Sequence, residues 1–107
     1  MTMSLAYTKD FIATKEAVMI LGKDGNRKEL TIFNLSDTEY VFIGFGNEYD
    51  NFNSSNTLPL APGEAYDASI VPLNAVFLMS NKNEGVQTVV YYSTTAPSYV
   101  KGRLING

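Results

Sequence analysis

The sequence predicts an all-β fold: an antiparallel β-sandwich, jelly-roll-like or Ig-like, of about seven strands with extended terminal arms. Three observations lead there. Short runs rich in Val, Ile, Phe and Tyr recur at spacings of about 8 to 14 residues. Clusters of Gly, Asn, Asp and Pro separate them. Within several runs, apolar and polar residues alternate with the two-residue period of a half-buried strand. A chain of 107 residues fits one domain, read as an N-terminal arm (1–11), a sandwich (12–95) and a C-terminal arm (96–107). With 45% hydrophobic and 18% charged residues, it is too apolar and too weakly charged for intrinsic disorder.

The first run is 17–21. Ile12, Glu16 and Met19 could share a helical face across 12–21, but the β-branched content and the Asp24-Gly25 turn signal that follows favour a strand. The second run, 28–35, sets Leu30 and Ile32 against Thr31 and Phe33, then meets a turn at 34–37. The third, 39–45, is apolar on both faces, with Tyr40 and Phe42 on one and Val41, Ile43 and Phe45 on the other. A long polar segment, 47–56, precedes a short run at 57–60, which Pro59 confines to a sheet edge. In Ala61-Pro-Gly-Glu64 the Pro and Gly stand where a type II turn wants them. A modestly alternating run, 65–71, ends at Pro72, and 75–80 is wholly apolar as far as Met79. The last run, 86–93, opposes Val86, Thr88, Val90 and Tyr92 to Gln87, Val89 and Tyr91. The ends carry scattered apolar residues without a clean period and therefore read as arms.

Composition excludes much chemistry. The chain has no His, Cys or Trp, which removes Ser-His-Asp and Cys-His nucleophile systems, zinc sites built on Cys or His, iron–sulfur clusters and disulfides. No cofactor is expected and the protein reads as a non-enzyme. Eight Lys and Arg against eleven Asp and Glu give a net charge of −3. Only Arg27 and Lys28 are adjacent, so no basic footprint for nucleic acid exists. No apolar run approaches the roughly 20 residues of a membrane span, and residues 1–11 lack the pattern of a secretory signal.

The stretch Asn26-Arg-Lys-Glu-Leu-Thr-Ile-Phe-Asn-Leu-Ser36, the Gly-ended strand at 40–44 and the turn in Leu58-Pro-Leu-Ala-Pro-Gly-Glu64 occur in an order that resembles small β-sandwich virion proteins of tailed bacteriophages. The resemblance spans roughly residues 17 to 93. It implies a late, non-enzymatic structural protein of the virion, made in the bacterial host cytoplasm: a capsid decoration or cement protein, or a head-fibre or tail accessory piece. It also implies capsid or tail proteins as partners and a homo-oligomer, with a trimer favoured. The segment 47–56 is longer than that group leads one to expect.

Candidate contact residues follow from exposure arguments. Strands apolar on both faces would leave an open patch unless another subunit or an arm covers one of them. Arms with scattered apolar residues gain order by docking on a neighbour. The expected partner contacts are therefore Leu5, Tyr7 and Phe11 in the first arm, Tyr99, Val100, Leu104 and Ile105 in the second, and Tyr49 and Phe52 in the polar segment. The alternative is a carbohydrate- or receptor-binding module that uses the 47–56 loop, with Tyr49 and Phe52 stacking on a sugar. Glu48, Asp50, Asn51 and Asn53 fail as a calcium loop, because the third position from Asp50 is Phe52. Glu64 and Asp67, three residues apart beside a turn, read as surface carboxylates rather than a glycosidase pair.

Overall fold

A computed structural model describes residues 3–96 as eight strands in two antiparallel four-stranded sheets. They are β1 (Met3–Ala13), β2 (Val18–Leu21), β3 (Arg27–Asn34), β4 (Val41–Gly46), β5 (Leu58–Leu60), β6 (Ala65–Asp67), β7 (Ala75–Ser80) and β8 (Val86–Ala96). The first sheet has the order β1-β8-β3-β6 and the second β2-β7-β4-β5. The pairs nest around the middle of the chain: β1 with β8, β2 with β7, β3 with β6 and β4 with β5, while β3–β8 and β4–β7 ladders join them into sheets. That is the order of a jelly roll, one long hairpin rolled up into a sandwich. Of the two expected topologies, the strand order selects this one.

Seven strands lie where the apolar runs are, and the alternation points the expected way. Leu30, Ile32, Val86 and Val90 of the first sheet meet Val41, Ile43, Val76 and Leu78 of the second in one core. The predicted turns form as well. Gly63 takes a positive φ of 75°, and the Glu64 amide donates to the Ala61 carbonyl at 3.0 Å, closing the type II turn. Asn34 is buried and orders the β3–β4 connection. Its Nδ2 donates to the carbonyls of Glu39, Leu60 and Ala61, and its Oδ1 accepts from the Ser36 amide.

The eighth strand corrects the expected N-terminal arm. Residues 3–13 form β1, paired in unbroken register with β8 from Met3↔Ala96 to Ala13↔Val86. Leu5, Tyr7, Lys9, Phe11 and Ala13 share its inner face, but only Ala13 is fully buried and Lys9 interrupts the apolar series. An edge strand that reaches beyond the core needs no strict alternation. At the other end β8 continues to Ala96, and residues 97–107, the expected C-terminal arm with Tyr99, Val100, Leu104 and Ile105, lie outside the described residues.

Candidate interaction site

Three connections gather at one end of the sandwich: β2–β3 (22–26), β4–β5 (47–57) and β6–β7 (68–74). The polar β4–β5 segment is held by its own side chains. Asn47 and Asp50 close its first turn: the Asn47 amide donates to Asp50 Oδ2 at 2.8 Å, and the Asp50 amide donates to the Asn47 carbonyl at 3.0 Å. Further on, the Asn53 amide donates to Asn56 Oδ1, Asn56 Nδ2 donates to the Asn51 carbonyl, and the Ser55 amide and hydroxyl both donate to Asn53 Oδ1. These are local Asx-type bonds of the kind that replace ladder bonds in turns.

The loop folds back across the outer face of the second sheet. Phe52 packs its ring 4.6 Å from that of Phe77, centroid to centroid. It lies directly above Gly44, where a Cβ would come within 2.5 to 2.9 Å of three ring atoms. Gly46 makes the same room for the Asp50 carboxylate. The two glycines of β4 are thus the recess into which the loop fits. Phe42, Phe77 and Met79 point outward from this sheet and are nonetheless buried. Another subunit or a terminal arm is the expected cover for these two-sided strands; over Gly44 and Phe77 the cover is instead a loop of the same chain. Phe52, expected at a partner or sugar surface, is that cover, half-buried against Phe77.

Tyr49 does the opposite. It stands at the tip of the Asn47–Asp50 turn and is 88% exposed. Beside it opens a cleft of about 510 Å³ with Met19 and Ala75 in its lining, Gly22 and Lys23 on the β2–β3 side and Glu48 and Asp50 on the loop side. A smaller hollow of about 150 Å³ shares Lys23, Gly46 and Asn47 and reaches Leu73 and Asn74. Ile70, in the neighbouring β6–β7 connection, is 87% exposed.

Arg27 fixes the far wall. Only 5% exposed, it donates through Nη1 to the Pro72 and Asn74 carbonyls at 2.7 and 3.0 Å, and through Nη2 to the Gly22 carbonyl at 2.7 Å. One guanidinium therefore ties the β2–β3 turn to the β6–β7 connection. Burial pulls its pKa below the ordinary arginine value while the neighbouring Asp24 carboxylate opposes that shift. Asp24 accepts from the Thr94 hydroxyl at 2.7 Å and from the Asn26 amide at 2.8 Å. The Thr94 bond first, then the Asn26 bond and the Arg27 charge, hold its carboxyl below its usual value against a smaller effect of burial.

The remaining candidates in β1 split. Tyr7 stacks on Tyr92 at 5.1 Å with Lys9 over its ring, and Phe11 packs against the core. Leu5 is half-buried. None of these is a free arm residue. Sequence reasoning did not single out Arg27 as the residue that shapes the cleft, since one cation before a strand carries no special pattern. The glycines at 44 and 46 inside an apolar strand were the available sign that something approaches the sheet closely.

No known family profile matches the chain, and no curated protein matches it. Among solved structures, the chain is similar to one from Bacillus endospore appendages, described as disulfide-linked pili, with a TM-score of 0.58 and 14% identity over 90% of this chain and 89% of that one. At that identity the likeness is one of fold: both chains are β-sandwiches.

Proposed function

We propose that this protein is a non-enzymatic structural module that attaches to a larger protein assembly, in its specific form a capsid decoration or accessory protein of a bacteriophage virion. The observation that carries the reading is the end of the sandwich where Tyr49 stands almost fully exposed in the lining of a cleft whose Gly22 side is held by Arg27, with Ile70 almost fully exposed in the β6–β7 connection. A large aromatic ring on a rigid scaffold beside an apolar recess is what protein–protein anchors are made of. The resemblance of residues 17–93 to small phage virion proteins supplies the kind of assembly. The pilus chain of similar fold supports assembly in general, although its disulfide linkage has no counterpart in a chain without Cys.

The test is co-sedimentation of the purified protein with phage particles that lack it. Saturable binding is expected, and Tyr49→Ala should weaken it at least ten-fold. Absence of binding to particles and to isolated capsid or tail proteins would overturn the reading. A second reading, glycan capture, is favoured by the open Tyr49 ring with Asn47, Glu48 and Asp50 around it. A glycan array showing a defined sugar ligand for the monomer, lost in Tyr49→Ala, would replace the first reading.

A further inference from the structure

A sandwich has four edges, and here they are unequal. β5 and β6 are three residues long, and β5 contains Pro59, which has no amide to donate. β2 has four residues and a register shift between Met19 and Leu21. β1 is eleven residues long, contains no Pro, pairs with β8 without a shift, and among the described residues has no strand on its other side. It is the one edge long and regular enough to take a further strand over several residues. Its outward row runs Ser4, Ala6, Thr8, Asp10 and Ile12.

The chain itself carries a matching segment. Residues 98–105, Ser-Tyr-Val-Lys-Gly-Arg-Leu-Ile, lack Pro and hold four good strand formers or apolar residues, Tyr99, Val100, Leu104 and Ile105. In an extended chain Ser98, Val100, Gly102 and Leu104 fall on one face and Tyr99, Lys101, Arg103 and Ile105 on the other. The charges are complementary. Residues 1–96 hold all eleven Asp and Glu against six Lys and Arg, a net −5, whereas 97–107 hold Lys101 and Arg103 and no acidic side chain.

Topology decides whose edge receives it. The chain leaves β8 at Ala96, beside Met3. To reach the open edge of its own β1 it would have to cross the start of β1, about 10 Å away, and then run parallel to it. Only Pro97 separates Ala96 from residue 98, and two residue steps of extended chain span about 7 Å, too little to reach that edge. The β1 of a second copy can be approached from the other direction and paired antiparallel. We propose that residues 98–105 of one copy add as a strand to the free edge of β1 of a second copy. Leu5, Tyr7 and Phe11 then belong to the acceptor strand rather than to a docking arm.

The inference goes beyond attachment to a particle, and its test needs no particle. The full chain is measured by native mass spectrometry and by amide hydrogen exchange over a concentration series, beside a Val100→Asp/Leu104→Asp variant. The expected result is a concentration-dependent oligomer in which β1 amides slow at least ten-fold. The variant should associate at least ten-fold more weakly, with a melting temperature equal to that of the wild type when both are diluted to monomer, and excess peptide spanning 98–105 should dissociate the wild type. A wild type that is monomeric at every concentration, a monomer in which β1 is already protected by its own tail, or an oligomer indifferent to the variant would each overturn it.

Discussion

The outer faces of the two sheets solve the same problem differently. In the second sheet Phe77 points away from the core and is only 6% exposed, because Phe52 of the β4–β5 loop lies on it. In the first sheet Phe33 also points outward, beside Val89 and Ala65, and is 39% exposed, with no such lid among the described residues. A strand apolar on both faces therefore does not demand a partner subunit when its own loop can fold back over a glycine. A strand that alternates leaves its outer face to water.

Matched substitutions should expose this difference. The largest effect is expected at Phe77→Ala, about 3–4 kcal/mol in denaturant unfolding, since it empties a buried site between sheet and lid. Phe33→Ala should cost about 1 kcal/mol, in the range of a partly exposed site. Equal losses would mean that the lid does not bury Phe77 in solution. Arg27→Met comes next, at about 2–3 kcal/mol, because it strips the charge-assisted bonds from three carbonyls. Gly44→Ala should cost about 1–3 kcal/mol by pushing a methyl into the Phe52 ring. That penalty should largely vanish in a Phe52→Ala background, a coupling read by a double-mutant cycle.

The smallest effect concerns pH. The Asp24 carboxyl titrates below its usual value when folded, so its contribution is present above the unfolded pKa of about 4 and is lost as pH falls through the lowered folded value. Unfolding midpoints measured from pH 7 down to pH 3 should therefore fall less steeply in Asp24→Asn than in the wild type.

The fold was legible wherever one face of a strand meets the core. Leu30 and Ile32 against Thr31 and Phe33, or Val86, Thr88 and Val90 against Gln87 and Val89, give both strand and orientation, and the Pro62-Gly63 turn needed nothing beyond local chemistry. β1 was not legible because its inner row carries Lys9 between Tyr7 and Phe11, at a margin where the core no longer selects apolar side chains. The site was half legible. Tyr49 was singled out and is exposed, but Phe52, three residues further on, was read alike and lies down on the sheet. What separates them is tertiary: the hollow above Gly44 takes one ring and not the other.

The nested pairing has a consequence for how the molecule comes into being. Of the paired strands only β4 and β5 are consecutive along the chain, while the ladder that completes the first sheet joins Met3 to Ala96. Contacts of such separation make folding slow, on the order of milliseconds to seconds, compared with helical domains of similar size. During synthesis β1 is made before β8, its one partner among the described residues, and stays unpaired until β8 follows.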